Sequence, residues 1–300
     1  MSRLLLIFVD GVGLAPASDH NPLATVATPA LHRLLGGALT RERVGWADGV
    51  ALAALDARLG VPGRPQSVTG QASLLTGVNA AAIAGRHVTG FVGAAVRRLL
   101  TAGNLFSRAR RRGLPTCFAN AYAPLPPGRR RPPSVTTVAT AAAGLERLSV
   151  DDLAAGRAVT WDVSRRRFAR ATGLDLSPVE PVEAGRHLGR LALDHRLTVF
   201  ETFLTDLAGH GRGVSAEEAV AAVDGLLGGV LEARAAAPAG RRLTVLLTSD
   251  HGNLEDARSR LHTLNPVPLL AVGPRARDFS RLSSILAVTP RILEASNAPS

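Results

Sequence analysis

The chain has 300 residues, 46% of them hydrophobic, enough to bury a substantial core, and a formal charge of +11 carried by arginine, since no lysine occurs. One cysteine, Cys117, excludes an intrachain disulfide and a thiolate metal cluster, fits a reducing cytoplasmic setting, and reads as a buried core residue. The positive charge favours anionic partners such as phosphate esters or nucleotides. Nucleic acid is not expected, because few aromatic residues accompany the arginine runs at 110–112, 129–131 and 165–167.

The first segment, Leu4 to Val9, is an apolar run that meets Asp10 with no cleavage site, so it reads as a buried strand rather than a signal peptide. No stretch approaches the ~20 apolar residues that cross a bilayer, and no membrane association is expected. After Asp10-Gly11-Val12-Gly13, the segment Ser67-Val68-Thr69-Gly70-Gln71 reads as a loop entering a helix just after Thr69, a place where backbone N–H groups and a permissive glycine suit a phosphate. An N-cap role for Thr69 is the alternative. Thr116 to Asn120 is a further expected strand, and Pro124 to Pro133 and Thr136 to Gly144 are compositionally biased.

Leu197 to Leu204 is a second buried strand, leading to Asp206 and His210, which face one point if the loop turns helically. The segment from Ala216 to Ala235 is an amphipathic helix, and Leu243 to Leu247 is a third strand, ending in Asp250-His251-Gly252-Asn253 with His262 following. Pro268 to Val272 is a strand, and a terminal helix is expected from Ser283, kinked or interrupted by Pro290, with a frayed end at Ala298-Pro299-Ser300. His20, His32, His187 and His195 lack partners at ligand spacing and are taken as structural, His195 near a helix end.

Apolar strands alternating with amphipathic segments imply an α/β fold, a mostly parallel central sheet with helices on both faces, whose ligands gather beyond the carboxyl ends of the strands. One domain over 1–300 is expected, with a small insertion or cap at about 121–182. Carboxylates and imidazoles delivered to that edge suit Zn²⁺ or Mn²⁺.

The run Thr248-Ser249-Asp250-His251-Gly252-Asn253, then His262-Thr263-Leu264-Asn265-Pro266-Val267-Pro268, resembles the metal-binding end of cofactor-independent phosphoglycerate mutase and its relatives in the alkaline phosphatase superfamily. Asp10-Gly11, Asn21 and Thr28-Pro29 resemble that family's opening, so the likeness covers roughly residues 1–85 and 197–295. It implies an alkaline phosphatase-like fold holding two divalent ions: Asp10, Thr69, Asp250 and His251 on one, Asp206, His210 and His262 on the other. Thr69 stands as the nucleophile, a threonine as in phosphopentomutases and nucleotide pyrophosphatases where phosphoglycerate mutases have serine.

The expected activity is that of a metal-dependent phosphatase or phosphodiesterase on a small phosphate ester, acting through a phosphothreonine. The short stretch between Val78 and Thr198 leaves little room for a mutase cap. A phosphosugar or phosphoglycerate mutase with a reduced cap is the alternative, and a basic nucleic-acid or partner-binding protein with a vestigial site is a second. Asn120, Arg86 and His87 are candidate substrate contacts. Neither the substrate nor the oligomeric state follows from the sequence.

Overall fold

The computed structural model describes residues 3–123 and 132–297. The arginines at 129–131 and the three terminal residues 298–300 therefore lie outside the described residues.

Seven strands form one mixed sheet: β1 (Arg3–Val9), β2 (Gly45–Ala47), β3 (Val50–Leu55), β4 (Thr116–Phe118), β5 (Leu197–Thr202), β6 (Leu243–Thr248) and β7 (Val267–Val272). Their spatial order is β2-β3-β7-β6-β1-β5-β4. The contiguous set β6-β1-β5-β4 is parallel, whereas β7 pairs antiparallel with both β6 and β3. β1 shows why an unbroken apolar run suits such a sheet. Leu4, Leu6 and Phe8 enter one core cluster while Leu5, Ile7 and Val9 enter the other, so both faces are dry.

Helices Ser67–Thr76, Ala94–Ala102, Leu105–Arg111, Val135–Ala142 and Val288–Asn297 supply residues to the first cluster, and Pro29–Leu35, Pro181–Asp194 and Ala216–Ala235 to the second. The last two helices press backbone against backbone. A Cβ on Gly185 would stand 2.1 Å from the Leu226 carbonyl oxygen, and one on Gly229 would stand 1.9 Å from that of Val182. Asp224, on the same long helix, caps Pro29–Leu35 by accepting from the N–H groups of Ala30 (3.0 Å) and Leu31 (2.8 Å).

The hairpin β2–β3 is absent from the sequence reading, although Asp48-Gly49 carries the signal for it. Both residues take positive φ, 47° and 79°, as a two-residue primed turn requires. Pro290 does not kink the terminal helix: it sits in the first turn of Val288–Asn297, where its missing N–H costs nothing. Between β4 and β5, the helix Val135–Ala142 packs into the main core, and Leu153, Ala158 and Phe168 build a small third cluster with Ala121. Cys117 is buried, and burial pushes its thiol up to about 12. His195 caps the end of Pro181–Asp194.

Candidate metal centre

Three strands end at the same edge of the sheet and each delivers acids there. Asp10 follows β1, Asp206 lies on the short helix Leu204–Gly209 after β5, and Asp250 and His251 follow β6. Because β7 runs antiparallel to β6, the connection between them starts and finishes at that edge and brings His262 back to it. His251 Nε2 stands 3.1 Å from Asp10 Oδ1 and 3.8 Å from Asp250 Oδ2. Asp206 Oδ1 stands 3.3 Å from His210 Nε2 and 3.5 Å from His262 Nε2, and the two imidazole nitrogens are 3.1 Å apart. The rings of His251 and His262 stack at 3.7 Å between centroids and join the two groups.

Each imidazole has its other nitrogen oriented by a carbonyl oxygen: His210 Nδ1 by Arg260 (2.8 Å) and His262 Nδ1 by Pro65 (2.8 Å). Carbonyl partners of this kind leave Nε2 facing the cluster, as a metal site needs. Glu255 braces the surrounding loops. It accepts from Gly13 N (2.8 Å), Asn253 N (2.8 Å), Asn265 Nδ2 (3.1 Å) and the Thr263 hydroxyl. A Cβ on Gly13 or Gly252 would fall 2.0 and 2.3 Å from Glu255 Oε1, so this packing needs glycine at both positions.

Of the seven residues expected at the metals, six converge. Thr69 does not. The helix begins at Ser67, with Gln66 as its N-cap, which puts Thr69 inside the first turn. Its hydroxyl donates to Gln66 O (3.3 Å) and accepts from Val88 N (3.1 Å), tying the following loop to the helix. Ser67 takes the expected position instead, its Oγ 2.9 Å from His251 Nε2. Residues two apart on a helix point to different sides, so only one of the pair can face the cluster. A signal for this was present: Gly70 and Gln71 lie three and four positions after Ser67 and share its face. A Cβ on Gly70 would stand 2.8 Å from the Asp250 carbonyl oxygen, and Gln71 Nε2 donates to Asp10 Oδ2 at 3.1 Å.

The expected substrate contacts fare differently. Asn120 is turned to the backbone of Glu201, where Nδ2 donates to Glu201 O (2.8 Å) and Oδ1 accepts from Glu201 N (2.9 Å), rather than to the cluster. His87 spends a ring nitrogen on the Val61 carbonyl (3.2 Å), with burial pulling its pKa down, and Arg86 is exposed. Arg64, overlooked in the sequence, stands three residues before Ser67 and donates to the His262 carbonyl at 2.6 Å.

The donor set fits divalent ions. Asp10, Asp250 and His251 offer three ligand atoms within 4.8 Å of one another, and so do Asp206, His251 and His262. Both carboxylate oxygens of Asp250 are buried without a hydrogen-bond partner among the described residues, an arrangement that costs several kcal/mol, ~3 or more, unless a cation compensates it. The charges are accordingly displaced. Burial, then the Asp10 charge, raises Asp250 far above the carboxylate range. Burial would lower His251, but Asp250 and Asp10 outweigh it and hold the imidazolium up to about 10. Burial would raise Asp206, but His262, His251 and Asn253 bring it to about 2.

Fold and site together place a carboxylate–imidazole cluster with the ligand set of a divalent-metal centre at the carboxyl edge of an α/β sheet. The model of the Metalloenzyme superfamily matches residues 189–297. The 2,3-bisphosphoglycerate-independent phosphoglycerate mutase of Desulforudis audaxviator is 42% identical over 102 residues, 31% of this chain and 19% of that protein. That of Thiobacillus denitrificans is 36% identical over 102 residues, again 31% and 19%. The matched segment thus spans about a fifth of these relatives' length. Among solved structures, the PH0037 protein of Pyrococcus horikoshii superposes with a TM-score of 0.58 at 14% identity, covering 99% of this chain and 97% of that one. The alkaline phosphatase of the Antarctic bacterium TAB5 does so with 0.56 at 12% identity, covering 99% and 98%; at such identities the likeness is one of fold. Together these findings support an alkaline phosphatase superfamily metalloenzyme, from a superfamily of metal-dependent phosphoryl transfer whose members include phosphatases, phosphodiesterases and mutases. No described helix is long and apolar enough to cross a membrane.

Proposed function

We propose that the chain is a metal-dependent phosphatase acting on a small phosphate ester through a phosphoserine at Ser67. The observation that carries this reading is the Ser67 hydroxyl, 2.9 Å from His251 Nε2 at the first position of a helix, within a cluster of acids and imidazoles. Asp10, Asp250, His251 and Ser67 would hold one divalent ion, Zn²⁺ or Mn²⁺, and Asp206, His210 and His262 a second. When bound, the pair supplies Lewis acidity to the phosphoryl oxygens and lowers the pKa of coordinated hydroxyl groups.

The protein's own residues do the rest. The positive end of the helix Ser67–Thr76 lies at Ser67 and favours an anion there, although the Val68 and Thr69 N–H groups donate to the Val88 carbonyl, and Arg64 adds a cation nearby. Gln71 fixes the Asp10 carboxylate, so that the acid and Ser67 keep one geometry as the hydroxyl loses its proton. Attack of Ser67 Oγ on phosphorus expels the alcohol, and water then cleaves the phosphoserine to release phosphate.

Hydrolysis is preferred over transfer because, among the described residues between β4 and β5, Val135–Ala142 and Pro181–Asp194 belong to the two main cores and only one small separate cluster is left to form a lid. We accordingly treat 1–300 as one domain with a small cap at about 121–182, working in the cytoplasm. A phosphoglycerate or phosphosugar mutase is the second reading, favoured by the identity to mutases over the C-terminal third. Turnover of aryl phosphate by metal-loaded protein, with stoichiometric release of inorganic phosphate and loss of both in Ser67→Ala, supports the first. Transfer between hydroxyls of one substrate without phosphate release overturns it.

A further inference from the structure

Glu201 is a carboxylate at the same edge that the metal cluster leaves unused. It lies on β5 opposite Phe8 of β1, and Phe8 precedes Asp10 by two residues. Alternation along the strand therefore sends Glu201, Phe8 and Asp10 to one face of the sheet, the face covered by the helix of Ser67. Its backbone is pinned where β4 has already ended: the Asn120 side chain bonds both its N–H and its carbonyl, replacing a strand neighbour. Thr136 donates to its Oε1 at 2.8 Å, and no cation pairs with it among the described residues.

An apolar residue would suit this position better on stability alone. Leu197 and Val199, on the same face of β5, belong to the first core cluster, and a side chain of that kind at 201 would extend it without desolvation cost. The strain on the carboxylate is visible in its proton affinity. Burial raises it, the Thr136 hydrogen bond opposes this, and the Asp10 charge adds to it, leaving a group at about 7. The residue is nonetheless half-buried rather than enclosed, and its Oε2 is left without a hydrogen-bond partner among the described residues for a ligand to meet. That ligand cannot be the phosphoryl group, whose negative charge a carboxylate repels. It is the organic part of the ester, and a carboxyl that already accepts from the Thr136 hydroxyl, with no cation paired to it among the described residues, suits a further neutral hydrogen-bond donor.

We infer that Glu201, held by Asn120 and Thr136, is a specificity-determining residue that accepts a hydrogen bond from a hydroxyl on the alcohol portion of the substrate, so that esters of hydroxylated alcohols are preferred to plain alkyl esters. This rests on the phosphatase reading above. The test compares kcat/KM of metal-loaded protein on glycerol 1-phosphate and propyl phosphate, which share a carbon skeleton, with p-nitrophenyl phosphate as reference. Wild type should favour glycerol 1-phosphate by roughly 10-fold or more, since a site built around a hydroxyl rejects the analogue lacking it. Glu201→Ala should erase that ratio. Glu201→Gln, which retains an acceptor oxygen, should keep part of it, and Thr136→Val, which frees the carboxyl to swing, should reduce it severalfold.

Equal loss on both alkyl esters in Glu201→Ala, or no preference in wild type that turns over p-nitrophenyl phosphate, overturns the inference alone. Failure of wild type on all three esters overturns the phosphatase reading and the inference with it. Should Glu201→Ala not fold, an unchanged ratio in both Glu201→Gln and Thr136→Val overturns it equally.

Discussion

The Ser67 hydroxyl meets His251, whereas Thr69, two residues on, turns its hydroxyl to the Val88 N–H. On the phosphatase reading proposed above, chemistry and architecture are divided between two neighbouring hydroxyls on one helix. Ser67→Ala should cut kcat on an aryl phosphate by a factor on the order of 10³ with little change in melting temperature. Thr69→Val should leave the phosphoenzyme detectable by mass spectrometry but lower stability by about 1–3 kcal/mol, because it strands a backbone N–H. Loss of the phosphoenzyme in Thr69→Val and its persistence in Ser67→Ala would reverse the assignment.

Asp250, buried with neither oxygen hydrogen-bonded among the described residues, is expected to tie stability to metal. In chelator, Asp250→Asn should melt at a higher temperature than wild type, since it removes a carboxyl that nothing compensates. Added Zn²⁺ or Mn²⁺ should raise the wild-type melting temperature, by about 2.7 kcal/mol of stability at a hundredfold excess over Kd, and the variant's far less. Thermal scans with and without metal at fixed pH decide the matter.

Glu201 gives the stability a pH dependence of known sign. Its pKa rises from 4.5 to about 7 on folding, so the folded state holds a proton that the unfolded state has released between those values. This contribution makes the protein less stable as pH climbs through that window, by at most about 3 kcal/mol once pH exceeds 7. Glu201→Gln should flatten this part of the curve, with denaturant melts at pH 5 and pH 8 differing less than in wild type. A variant with the wild-type pH profile would show that the carboxyl is hydrated.

The close approach of Pro181–Asp194 and Ala216–Ala235 predicts the effect of a single methyl. Gly229→Ala must force apart backbones that leave no room for a Cβ, and a loss of about 1–3 kcal/mol in urea unfolding is expected. Gly228→Ala, whose Cβ would meet only Ala30 at an ordinary 3.5 Å, should be neutral or mildly stabilising.

Much of this arrangement is legible in the chain because the strands announce themselves. β1, β5 and β6 are unbroken apolar runs ending at acids, and the imidazoles follow at short spacing. The direction of β7 is not written in its residues; it depends on which neighbour it pairs with. The choice of Ser67 over Thr69 turns on where a helix begins, and end residues are decided by tertiary contacts. Asn120 illustrates a third difficulty. An amide at a strand end suits a ligand as well as a neighbouring backbone, and only the position of Glu201 decides between them.

Glu255 joins the loop after β1 to the loop between β6 and β7 through one buried carboxylate. Those two segments, separated by most of the chain, must therefore change together or not at all. Among the described residues, the small third cluster between β4 and β5, built on Leu153, Ala158 and Phe168, carries no such tether to Glu255, which leaves that part freer to diversify in sequence. New ligand preferences can arise there while the carboxylate–imidazole cluster stays as it is.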